Sequence, residues 1–152
     1  MPSLLLFVPT ESLSIDQGSN RLSLFNVLEQ INVANFPARL AQICLVTLWQ
    51  RDRNESKDEA FGQIIDLRDP DGMSLCPPRL ARFTMPKKRH RLVSIIGNVE
   101  IHRAGQHEIR LYGMPPNVDA PEPKYLLRSF PLEVRQIHHP TAQRPPLPAD
   151  EE

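Results

Sequence analysis

The chain has 152 residues, 40% of them apolar and 24% charged, and its basic and acidic side chains balance to a formal net charge of zero. That length favours a single domain whose core needs no staples. The charge balance excludes a global field that would draw in nucleic acid or an anionic membrane. No stretch approaches the ~20 apolar residues of a spanning helix. The apolar run in residues 1–9 lacks the basic flank, length and cleavage site of a secretory leader, so a cytoplasmic setting is expected. Cys44 and Cys76 lie in apolar runs, where a thiol behaves as a small hydrophobe, and two buried free thiols are expected rather than a disulfide.

In chain order, residues 4–8 predict a short first strand closed by Pro9, and residues 14–20 carry turn chemistry. Residues 21–33 fit two patterns. Leu24, Val27, Leu28 and Ile31 lie at helical spacing, yet the segment also alternates, lacks a capping box and ends in β-branched residues, which favours strand. Residues 36–41 read as a connection with room for one helical turn. Residues 42–50 form the strongest strand, with Cys44, Val46 and Leu48 on one face and Ile43, Leu45 and Trp49 on the other. Residues 51–59 are a charged loop and residues 60–68 a strand. Asp69-Pro70-Asp71-Gly72 predicts a turn, with residues 73–76 returning as the hairpin partner and Pro77-Pro78 breaking it.

Residues 85–91 form a basic loop. Residues 92–102 predict a long strand with a bulge at Gly97. Residues 103–106 predict a hairpin turn, and residues 107–112 its return strand. A proline-rich loop follows over 113–124. In the last strand, over 125–137, Phe130, Leu132 and Val134 face one way and Ser129, Pro131, Glu133 and Arg135 the other. Pro131 cannot donate to a ladder, which predicts an edge strand or a bulge there. Residues 139–152 hold too little apolar surface to order and read as a disordered proline-rich, acidic tail. The expected fold is an all-β antiparallel sandwich of seven to nine strands over residues 1–138, immunoglobulin-like in architecture only, because the cysteine–tryptophan–cysteine signature is missing.

The succession of residues 21–27, Phe36-Pro37-Ala38-Arg39-Leu40, Asp69-Pro70-Asp71-Gly72, residues 104–111 and residues 130–135 resembles a family of small bacterial β-sandwich domains of unknown function. The resemblance spans about residues 4–137. It implies a sandwich and a bacterial intracellular setting, and it carries no catalytic residues over.

No chemical constellation is complete. His102 and His107 flank a predicted turn, and a zinc site would need His90, His138 or His139 to join them. Lys87, Lys88, Arg89 and Arg91 are a local basic run with only Phe83 nearby for stacking, so nucleic-acid binding is not expected. The acids of residues 52–71 lack the alternating oxygens of a calcium loop. Nucleophile elbows, phosphate loops and dinucleotide fingerprints are missing, so no catalytic residue, cofactor or metal is expected. Residues 144–148 carry a short polyproline motif. The two-sided apolar strand of residues 42–50 points instead to a non-enzymatic interaction module. It would bind a protein partner or itself through a sheet face or edge, with Ile43, Leu45 and Trp49 as candidate contacts. The alternative is a sandwich with a small-ligand or carbohydrate cleft at its loop end.

Overall fold

The structure, a computed structural model, describes residues 1–116 and 125–138. The tail, its 144–148 motif, His139 and the centre of the 113–124 loop lie outside the described residues. Among the described residues nine strands make two packed sheets: β1 (Ser3–Ile15), β2 (Leu22–Val27), β3 (Gln30–Val33), β4 (Ala38–Gln50), β5 (Ala60–Arg68), β6 (Arg79–Thr84), β7 (Arg89–Ile101), β8 (Gly105–Met114) and β9 (Tyr125–Gln136). Sheet A runs β2-β1-β4-β7, and sheet B, curled towards a half-barrel, runs β3-β9-β8-β5-β6. The described residues contain no helix, so none crosses a membrane as a helix.

Period-two patterning places the core as expected. Ile43, Leu45 and Trp49 of β4 meet Phe61, Ile65 and Leu67 of β5, Ile109 and Leu111 of β8, and Leu132 and Val134 of β9 in one cluster between the sheets. One polar element crosses that cluster. Gln63 on β5 is buried, and its Oε1 accepts from Thr47 Oγ1 at 2.8 Å and Trp49 Nε1 at 3.0 Å. Its amide nitrogen donates to Ser94 Oγ at 3.5 Å. Beside it Trp49, Phe61 and Phe83 form a tilted aromatic chain, and Phe83 stacks on His90 with centroids 5.4 Å apart.

Several expectations are corrected. The strands are not all antiparallel: β3 pairs in parallel with β9, from Gln30 opposite Glu133 to Val33 opposite Gln136. The ambiguous 21–33 segment is strand, split between two sheets. β1 runs on through Pro9 to Ile15, and β4 begins at Ala38 with no helical turn before it. β5 pairs not with residues 73–76, which add only the Arg68–Ser74 bridge, but with β6 beyond the two prolines. The Asp69–Gly72 turn does form. Gly72 adopts φ +82°, and the Asp69 carboxylate accepts from the Asp71 and Met73 amides. These bonds hold the Asp69 carboxyl below its usual range.

No register shift occurs at Gly97. Its neighbour Asn98 takes a left-handed φ of 55° while the β4–β7 ladder stays in register, and beyond it Val99 and Ile101 rejoin the core. β9 is second in sheet B, but β3 covers it only from Glu133 onwards, so at Pro131, opposite Glu108, the strand has the open side that its proline predicts. Residues 103–106 are not a hairpin turn, because β7 and β8 belong to different sheets.

Replacing Gln63 by Leu leaves the Thr47 hydroxyl and the Trp49 indole N–H buried without an acceptor. Q63L is expected to lose about 2–4 kcal/mol, since an unsatisfied buried polar group costs about 1–3 kcal/mol. T47V removes one partner cleanly and is expected to lose less, about 1 kcal/mol. Urea unfolding of both variants checks the order.

Candidate functional site

Ile43, Leu45 and Trp49 are 0%, 0% and 1% exposed. The structure brings all three together, but in the core, so they offer nothing to a partner. The opposite face of β4 is hardly more open: Cys44 and Val46 are buried too. The cover comes from the chain itself, through the ribbon that β1 and β2 form beyond Thr10. Its tip is a tight turn in which Asp16 accepts from the Ser19 amide at 2.7 Å and from the Ser19 hydroxyl. These bonds lower the Asp16 pKa. Asn20, at φ 55°, then presents its backbone and side-chain oxygens to Arg91 of β7, at 3.2 and 2.8 Å. The tip thus reaches across β4 to the far strand of the sheet. Leu22 and Asn20 wall a hollow whose other sides are Leu6, Val46, Leu48, Lys87, Arg89, His90 and Arg91.

The longest open margin of sheet A is that of β7, for β1 lacks β2 beside it only before Thr10. β7 pairs with β4 on one side and, among the described residues, with no strand on the other. It is 13 residues long, against six, four and six for the edge strands β2, β3 and β6. The ladder places Arg89, Arg91, Val93 and Ile95 on the outer face, opposite Gln50, Leu48, Val46 and Cys44. Ile95 is 60% exposed. The pleat also sorts the basic run. Lys87, Arg89 and Arg91 line the outer hollow, whereas Lys88 lies in a separate hollow with Asp52 and Glu55. Among the described residues no carboxylate pairs with Lys87, Arg89 or Arg91. Arg91 is held by neutral oxygens that leave its charge standing. His90, on the inner side against Phe83, is pushed below its ordinary pKa of 6.5 by burial and adds no charge near neutrality.

The other candidates disperse. His107 is buried with Nδ1 against the Gly105 carbonyl and Nε2 unpartnered, while His102 is exposed beside Glu100. The cavity lined by His107, about 10 Å³, is too small for a ligand. No group of three metal-binding side chains occurs among the described residues. Asp66 is spent on Arg68 and Ser74, each at 2.7 Å. A cleft of about 610 Å³ opens between β1, β2, β3 and β4. Its polar groups largely satisfy each other, Asn26 bonding Glu11 and Gln30 bonding Asn32. Its described lining holds no aromatic ring on which a sugar would stack. Both cysteines are free, as expected, but only Cys44 is buried and Cys76 is half-buried; burial pushes both thiols up.

A family model matches residues 7–113, well over half of the chain and all of β7. The chain belongs to DUF6941, a family of unknown function. No curated protein and no solved structure matches it. The domain of unknown function that the motifs suggested is thereby shown, and the match covers the β1–β2 cover and the open edge of this DUF6941 chain alike. The long edge escaped the sequence, because alternation shows which side chains share a face but not which strand lacks a neighbour.

The Cys44 thiol lies against the Glu11 carbonyl at the base of this ribbon, at 3.7 Å; if the Asn20–Arg91 contact holds the ribbon down, then R91A is expected to raise the rate at which Cys44 reacts with a thiol reagent under native conditions. The wild-type thiol should react only as fast as the protein unfolds. A second expectation concerns His90. With its folded pKa below the unfolded value, the unfolded chain takes up the proton first. Stability is then lost as pH falls through about 6.5. H90F, which keeps the stacked ring, should lose less stability than wild type between about pH 8 and pH 5 in urea titrations.

Proposed function

We propose that this DUF6941 chain is a non-enzymatic, cytoplasmic interaction module that receives a strand from a protein partner along β7. In this reading the two sheets are an immunoglobulin-like sandwich used as a rigid scaffold, and the free edge of sheet A is the working surface. The observation that carries it is the contrast among edges. Natural sheets shorten, cover or twist their edges to prevent stray pairing, and β2, β3 and β6 are short. β7 is long, holds no proline and leaves Ile95 in solvent. An unpaired edge supplies main-chain donors and acceptors for affinity, and its alternate side chains supply selectivity.

The test is a display library of extended peptides, about ten residues each to span most of β7, selected on the full chain. Selected peptides are expected to slow amide hydrogen exchange within residues 89–101. I95K should weaken them while leaving the fold within about 0.5 kcal/mol, as usual for an exposed substitution. Binders that protect some other strand, or a library that yields none, would remove the proposal.

A further inference from the structure

We infer that the strand accepted by β7 is an acidic one, from a protein partner, with two carboxylates at alternate positions followed by two aliphatic side chains. The inference rests on the edge-binding reading above and adds the chemistry of the partner. A strand laid beside β7 places every second side chain on the outer face, opposite Arg89, Arg91, Val93 and Ile95 in turn. Directly opposed residues have Cβ atoms about 4.5–5.5 Å apart, close enough for ion pairs at one end and aliphatic contact at the other. At the charged end the site is one-signed. Lys87, Arg89 and Arg91 line the hollow, and none of its lining residues is acidic. Arg91 keeps its charge there, because the Asn20 oxygens hold its guanidinium without neutralising it.

A second copy of the chain fits less well. Paired antiparallel, another β7 brings to the two arginines only outer-row residues of its own, among them arginine, valine, isoleucine and glycine. The single acid of that strand, Glu100, is engaged by Arg39 and His102. Edge arginines therefore discourage self-pairing and favour a complementary stranger. Nucleic acid would satisfy the cations but not the remainder of the row. Val93 and Ile95 are aliphatic, and the ring beside them, His90, is turned inward onto Phe83, so no outer-row ring is offered for base stacking.

Fluorescence anisotropy on the full chain tests this with two labelled peptides, each measured in both sequence directions. One alternates threonine with two glutamates and then two valines. The other has glutamine for glutamate. The acidic peptide is expected to bind about tenfold more tightly, the size of two cross-strand ion pairs. R89Q, which alters an exposed side chain with no described partner, should weaken the acidic peptide about threefold and leave the glutamine peptide unchanged. Hydrogen exchange then separates the two claims. Equal binding of both peptides with β7 amides protected would overturn the acidic preference and leave edge binding standing. If neither peptide protects β7, both fall. A dT oligonucleotide that binds more tightly than the acidic peptide and is displaced by R89Q would overturn the choice of a protein partner.

Discussion

Gln63 sends one amide into the space between two sheets that otherwise meet through hydrocarbon, and the alignment of the whole sandwich depends on it. Apolar packing alone is tolerant of small slips, because it is non-directional. The Gln63 oxygen is not tolerant. It takes a hydroxyl from Thr47 and an indole N–H from Trp49, two residues apart on the inner face of β4. A one-residue slip of β4 would turn both donors away and bury the amide unsatisfied. The same residue has Gly113 opposite it on β8, so the amide pins β5 of sheet B to β4 of sheet A. From that pin follow the aromatic chain through Trp49 and Phe83, the position of His90 at the start of β7, and so the face on which Arg89 and Arg91 appear.

The outer side of sheet A obeys a different logic. A strand that is apolar on both sides must be covered on both sides, and here the chain covers itself. The β1–β2 ribbon turns back so that its tip reaches β7, and neutral oxygens receive the arginine that would otherwise stand in solvent. The cover ends at β7. Ile95 and the arginine row are therefore left at the boundary between a self-satisfied sheet and an unpaired edge.

The sequence was legible wherever one local rule decided the outcome. Alternation placed Leu132 and Val134 inside and Glu133 and Arg135 outside, and the Asp69–Gly72 turn formed from its own carboxylate and glycine. It was illegible wherever a distant neighbour decided. Pro131 marked an open side where β9 has one, but nothing local showed that β3 would cover the strand in parallel from Glu133 onwards. The pattern of β4 is apolar on both sides and does not say which side holds the second sheet, so it offers Ile43, Leu45 and Trp49 as contacts when they are core. The basic run read as one loop. Only the pleat of β7, which carries Arg89 and Arg91 on one face and His90 on the other, separates its members.

The parallel pairing of β3 with β9 has a consequence for how the molecule comes into being. Gln30 finds its place beside Glu133, a closure over about a hundred residues, and such non-local pairings form late because loop entropy must be lost first. During synthesis β3 emerges early and waits while β4 to β8 are made. Until β9 arrives, β8 is itself an open edge, and sheet B cannot complete its curl. The growing chain therefore passes through a stage with two long open edges, β7 on sheet A and β8 on sheet B, besides the short edges of β2 and β6, and finishing the protein closes only β8. A factor that held the nascent chain at β8 would be released by the chain's own last strand, whereas one bound at β7 would stay.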